Sequence, residues 1–257
     1  MLRAADFGEG GVGLLPVLVL FDIDGTLLEG GGSGTLAMRR AFTAAFGVGS
    51  DGVSVATAGR TDLAIFADMA AVLGVSLDAD AEARLIAAYL QVLPQAMAEC
   101  GARLLPGVRP LVEALAADPR CRLAVGTGNL AAGAAIKLRH LGVDGLFPIG
   151  GFGDRQTDRA ALIGGALAAA RRHYGVAFAP ARTVVVGDAP PDIAAARANG
   201  MRVLSVATGR TEAAVLAAMR PDALVPDLGE TARIHSWLVG SVEREGESAW
   251  ERCGEEG

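Results

Sequence analysis

Two rhythms of apolar and polar positions alternate along most of this chain. Residues 17–28 read VLVLFDIDGTLL: a short apolar run, then two acids, then a Gly-Thr turn pair. An apolar run of this length, closed by turn residues, predicts a strand over 17–22 that is buried on both faces, as in a parallel sheet. Similar runs recur at 122–127 (RLAVGT), 146–150, 183–187 (TVVVG), 203–206 and 223–225. Between them, apolar residues return at helical spacing over 108–117, 129–141, 159–174, 191–199 and near 212–219 and 229–239. Glycines follow several of these stretches, as they do at helix ends. Strands alternating with helices predict an α/β fold, a doubly wound parallel sheet with right-handed crossovers.

The stretch 35–100 breaks the alternation. It carries three helical patterns, 35–46, 61–73 and 78 to about 100, and nothing that alternates like a strand. Pro94 predicts a kink or break in the third. A glycine cluster, Gly30 to Gly32 and Gly34, precedes the first and makes Ser33 a candidate helix N-cap. The expected organisation is therefore an α/β core over 16–30 and 103–240, with an inserted all-helical cap over 31–102. Residues 1–15 read as a flexible, glycine-containing extension. Residues 241–257, rich in Glu and Gly, read as an acidic, solvated and disordered tail.

Composition narrows the partners more than the fold. The chain has 257 residues, 51% of them hydrophobic, enough for a sizeable core. Its net charge of −6 argues against nucleic acid and anionic membrane surfaces, which favour basic patches. The 3 cysteines form no CxxC pair, as expected of a reduced, cytoplasmic protein. No run reaches the roughly 18 apolar residues of a membrane span, and the first sixteen residues lack the apolar stretch of a signal peptide. The expectation is a soluble protein acting on a small molecule, as a monomer or homodimer.

The candidate chemistry lies at predicted strand ends, where open α/β sheets carry their sites. Asp22 and Asp24 end the first strand. Carboxylates that close repel one another unless a cation or a proton intervenes, so the pair invites a hard divalent metal, most simply Mg²⁺. A pair of solvated acids is the plain alternative. Strand 122–127 delivers Thr127, followed by Gly128 and Asn129 at the expected start of a helix; a hydroxyl and backbone N–H groups there suit a phosphate. Strand 183–187 delivers Asp188, with Asp192 four residues on, a spacing that lets both face one ion. Arg159, near a helix start, can hold an anion beside these acids, and Arg155 is its competitor. In the helical block, Ala58-Gly59-Arg60-Thr61-Asp62 is a glycine loop with one cation, Arg60, where an anionic substrate group could dock.

These motifs resemble those of the haloacid dehalogenase-like phosphohydrolases. FDIDGTL is similar to their first motif, VGTGN to their second and VVGDAPPDIAAARANG to their fourth. The third departs from the usual lysine-proline pattern, leaving Arg159 in TDRAAL, or Arg155, in its place. A helical cap after the first motif resembles the phosphoglycolate phosphatase and β-phosphoglucomutase branch. The resemblance implies that Asp22 attacks phosphorus and that Asp24 serves as general acid and base. It also implies that Mg²⁺ is held by Asp22, Asp188, Asp192 and the backbone carbonyl of Asp24, and that Thr127 and Arg159 hold phosphoryl oxygens. The implied activity is that of a small-molecule phosphatase. A phosphomutase, or a regulatory protein that has kept the fold without turnover, is the alternative.

Overall fold

The computed structural model describes residues 16–154 and 158–240, so the expectations for 1–15, for 241–257 and for Arg155 lie outside the described residues. Six parallel strands form the sheet: β1 (Val17–Phe21), β4 (Cys121–Gly126), β5 (Gly150–Gly151), β6 (Thr183–Gly187), β7 (Arg202–Val206) and β8 (Ala223–Val225). Their order is β5-β4-β1-β6-β7-β8, so β1 is central. Leu18 pairs with Arg122 on one side and with Thr183 on the other. All five residues of β1 are buried, which is why its sequence is apolar without alternation. The chain adds strands to one side of β1 and then to the other, so a crevice opens at the carboxyl ends of β1, β4 and β6.

Helices α4 (Val108–Ala117), α5 (Ala131–Leu141), α6 (Arg159–Tyr174), α7 (Pro190–Ala198), α8 (Ala213–Ala218) and α9 (Thr231–Val239) connect and follow the strands. Leu18, Leu20, Ile163, Ala166, Ile193 and Val203 are among the residues that build the core on one face of the sheet. On the other face the core runs on without interruption. It extends from Val19 and Phe21 through Leu111 and Leu138 to Met38, Phe42, Phe66, Tyr89 and Leu93 of the helical block.

That block comprises α1 (Ser33–Phe46), α2 (Asp62–Leu73) and α3 (Ala79–Glu99). The chain leaves the sheet through β2 (Leu28–Glu29) and returns through β3 (Arg103–Leu104), and these two short strands pair antiparallel. Thr61 and Asp78 cap α2 and α3 through their side chains.

Three local expectations are corrected. Ser33 is the first residue of α1 and not its cap; Gly32 takes the cap position with φ 88°, and no side chain caps this end. The strand expected at 146–150 forms only at Gly150–Gly151, because Asp144–Leu146 turns as a short 3₁₀ segment first. Pro94 does not end α3, which runs through it to Glu99. Pro94 itself stands at an exposed position of α3.

Candidate active site

The end of β1 and the turn after it carry the first two acids. Asp22 is buried, its N–H donating to the Val186 carbonyl at 2.9 Å, so its backbone is fixed between β1 and β6. Its carboxylate pairs with Arg159 Nη2 at 3.0 Å. The same Nη2 lies 2.5 Å from Asp192 Oδ1. Arg159 thus opens α6 as a buried fork between two strand ends. Burial pushes the Asp22 carboxyl up to about 6; Arg159 opposes the shift, and Asp192 and Asp24 add to it.

Asp188 follows β6 and faces Asp22 across the crevice. Burial first, then the charges of Asp22 and Asp192, push its carboxyl up to about 8. Thr26 donates to its Oδ1 at 3.1 Å. Two glycines press on it: a Cβ at Gly25 would come within 2.5 Å of Asp188 Oδ2, and one at Gly209 within 1.7 Å. Only residues without side chains let the turn after β1 and the loop after β7 close around this carboxylate. Asp192 is fully buried; its Oδ2 accepts the N–H of Ala189 at 3.1 Å while its Oδ1 meets Arg159. One oxygen from each of Asp22, Asp188 and Asp192 lies within 4.8 Å of the others.

Thr127 sits at the end of β4, buried, its N–H tied to the Gly151 carbonyl at 3.0 Å. The phosphate cradle expected just beyond it is arranged differently. Helix α5 starts at Ala131, and its first donors are taken: Leu130 N–H by Asp62 Oδ2 and Ala131 N–H by Asp154 Oδ2, each at 2.9 Å. Asn129 is turned inward, its amide donating to Asp24 Oδ2 at 2.9 Å. The Thr127 hydroxyl accepts the Asn129 N–H at 3.3 Å, and Thr127, Gly128 and Asn129 all border the cavity. Arg60 also lines the cavity, with its guanidinium paired to Asp68 of α2.

Asp22, Asp24, Thr127, Gly128, Arg159 and Asp188 border one cavity of about 410 Å³ between the strand ends and the helical block, a size that suits a small metabolite; the fully buried Asp192 does not reach its wall. Asp24 projects toward it, its side chain 47% exposed. Lys137, on α5, grips both Asp24 oxygens, its Nζ at 2.8 and 2.6 Å. Burial works against the charge on each partner, yet their attraction wins: the Asp24 carboxyl stays below its usual range, and the Lys137 ammonium above its own.

A model of the haloacid dehalogenase-like hydrolases matches residues 17–200, most of the chain. The chain belongs to this family. No curated protein sequence matches it. Solved structures share the fold at low identity. CbbY from Rhodobacter sphaeroides, solved in complex with phosphate, is 23% identical with a TM-score of 0.63, covering 84% of this chain and 96% of its own. A protein described as a predicted phosphoglycolate phosphatase, from Haemophilus somnus, is 20% identical with a TM-score of 0.61, covering 87% and 99%. A hydrolase from Pseudomonas syringae is 20% identical with a TM-score of 0.63, covering 84% and 96%.

Sequence reasoning overlooked two members of this hydrolase's site. Lys137 carried a signal: it falls on the buried stripe Leu130, Ala134, Leu138, Leu141, where a lysine is out of place. Gly209 carried none, since nothing in the sequence places the loop after β7 against Asp188.

Proposed function

We propose that this hydrolase is a Mg²⁺-dependent phosphatase that cleaves a small phosphorylated metabolite through an aspartyl-phosphate on Asp22. One observation carries the reading: Asp22 and Asp24, two residues apart, border the same cavity as Thr127, Arg159 and Asp188.

The site is short of positive charge. Five carboxylates, those of Asp22, Asp24, Asp62, Asp188 and Asp192, gather near the strand ends with the buried cations Arg159 and Lys137, while Arg60, already paired with Asp68, and Arg210 line the same cavity. Hard oxygen donors crowded within 4.8 Å fit a divalent cation with a preference for oxygen. Asp22, Asp188 and the Asp24 carbonyl would hold it, with Asp192 assisting, since both Asp192 oxygens already accept hydrogen bonds. When bound, Mg²⁺ neutralises carboxylate and phosphoryl charge.

The chain's own residues supply the rest. The Asp22 carboxylate attacks phosphorus, and its oxygen–phosphorus bond forms as the leaving oxygen departs. Asp24, ionised beside Lys137 in the free protein, takes up the proton that a phosphate monoanion brings, gives it to the leaving oxygen, and later takes one from the water that cleaves the acyl phosphate. Thr127 Oγ1 and the backbone at Gly128 orient the phosphoryl oxygens. Arg159, fixed by Asp22 and Asp192, offsets negative charge beside the nucleophile. Helices α1–α3 serve as the cap, residues 31–102, which excludes water and selects the substrate.

The test is a screen of phosphorylated metabolites for released inorganic phosphate, with Mg²⁺ and with chelator. Asp22→Asn should abolish turnover while circular dichroism stays that of the wild type. Turnover within tenfold of wild type would refute the assignment of Asp22. An isomerised phosphate ester without free phosphate would mark a mutase.

A further inference from the structure

Lys137 is an expensive residue where it stands. Its side chain is 3% exposed, on a face of α5 otherwise filled by Leu130, Ala134 and Leu138. An apolar residue would pack there without desolvating a charge. Among the described residues its ammonium donates to the two oxygens of Asp24. The amide of Asn129 joins Lys137 on that carboxylate. Asp24 itself sits in the turn after β1, half-exposed, and among the described residues these are the side-chain contacts that hold its carboxylate in one direction.

The second part of the arrangement comes from the cap. Asp62, the first residue of α2, clasps the loop that carries Asn129 twice over. Its N–H donates to the Gly128 carbonyl at 2.9 Å, and its Oδ2 accepts from Leu130 N–H at 2.9 Å. Its Oδ1 stands 3.5 Å from the Asn129 amide nitrogen that also reaches Asp24. A buried cap carboxylate thus grips both sides of the residue that steadies Asp24. Asp62 and Lys137 are close enough for each to stabilise the other's charge. Moving α2 off the core removes both clasps at once and leaves the loop to its core contacts, the Gly153 N–H on the Asn129 carbonyl at 2.8 Å and Asp154 on the Ala131 N–H.

We propose that Lys137 is a positioning residue that aims the Asp24 carboxylate at the leaving oxygen, and that Asp62 ties this aim to the seating of the cap. The inference rests on the phosphatase reading above, in which Asp24 serves that oxygen. Substrate that fills the cavity under the cap would then find the acid already oriented, whereas an open cap would leave it loosely held.

The experiment compares two probes in the presence of Mg²⁺: phenyl phosphate, whose leaving group needs a proton, and 2,4-dinitrophenyl phosphate, whose leaving group does not. The readout is kcat/KM, which reports formation of the aspartyl-phosphate and not its hydrolysis. Lys137→Met should lower kcat/KM on phenyl phosphate by about 10²-fold, the usual share of a positioned acid, and on the dinitrophenyl ester by less than about fivefold. A burst of dinitrophenolate should appear in that variant, because misdirected Asp24 also slows the second step. Lys137→Arg should recover part of the phenyl phosphate activity. Asp62→Ala should shift the ratio of the two probes in the same direction. Combined with Lys137→Met it should add little, since both act through Asp24.

Equal losses on both probes would show that Lys137 only packs α5, and would overturn the inference while the phosphatase reading stands. A probe ratio unchanged in Asp62→Ala would overturn the role of the cap. Failure of the wild type to hydrolyse either ester would refute the phosphatase reading itself. If Lys137→Met does not fold, Lys137→Arg and Asp62→Ala decide the matter by the same ratio.

Discussion

Replacing Asp188 with asparagine should stabilise the metal-free protein at neutral pH, although it removes a group on which activity is expected to depend. Burial and the charges of Asp22 and Asp192 raise the Asp188 carboxyl from its ordinary 3.8 to about 8. The folded state therefore holds a proton on Asp188 at pH 7 that the unfolded state has released. For a carboxylate shifted upward the sign is unfavourable. Stability is full below about pH 4, falls as pH rises toward 8, and levels off above it. At pH 7 the cost spans roughly three pH units at about 1.4 kcal/mol each, about 4 kcal/mol. Asparagine removes that cost but buries an amide N–H₂ with no assured partner, which takes back about 1–3 kcal/mol. The net gain is about 1–3 kcal/mol, a rise in Tm of about 2–10 °C for a domain of this size. Near pH 5 the carboxyl's cost is small and the gain should vanish. The assay is thermal melting in EDTA at pH 5, 6, 7 and 8, followed by melting with excess Mg²⁺. Mg²⁺ should raise the wild-type Tm more than that of the variant, because the cation does the work of the lost proton. A difference between variant and wild type that stayed constant from pH 5 to 8 would refute the reasoning.

Other perturbations test other contacts. Arg159→Ala should lower kcat by about 10²-fold or more and destabilise the fold by about 3–5 kcal/mol, because Asp22 and Asp192 lose the cation between them; melting and steady-state kinetics together check this. Gly209→Ala puts a methyl within 1.7 Å of Asp188 Oδ2, so a loss of about 1–3 kcal/mol and a raised Mg²⁺ requirement are expected from melts and a metal titration. Tyr89→Phe removes a fully buried hydroxyl that has no hydrogen-bond partner among the described residues. Denaturant unfolding should show it to be neutral or stabilising by up to about 1 kcal/mol, and a loss above 1 kcal/mol would mean that the hydroxyl is satisfied in solution.

The central strand, the alternation of strands and helices and the strand-end acids were all legible from residue order. The reason is local: β1 is buried on both faces and must be apolar throughout, and the acids follow it and β6 directly. The three helices between β2 and β3 were equally plain, because their periodicity is intrinsic to each segment. Short features were not. Ser33 has the chemistry of a cap, but Gly32 took the position by adopting a left-handed backbone that serine disfavours. The N–H groups ahead of α5 read as a phosphate cradle, yet Asp62 and Asp154, about 68 and 23 residues away, had already claimed two of them.

What the sequence determined by itself is which residues stand at the ends of which strands, since that depends only on neighbours along the chain. What the tertiary structure decided is which of them meet. Lys137 reaches Asp24 across 113 positions, Asp62 reaches Leu130 across 68, and Gly209 closes on Asp188 only because β7 lies beside β6. Such pairings follow from the crossovers, from the packing of α3 against α5, and from the contact of the start of α2 with the loop before α5. A charge buried on an apolar helix face reveals only that it has a partner, and the fold supplies that partner's identity.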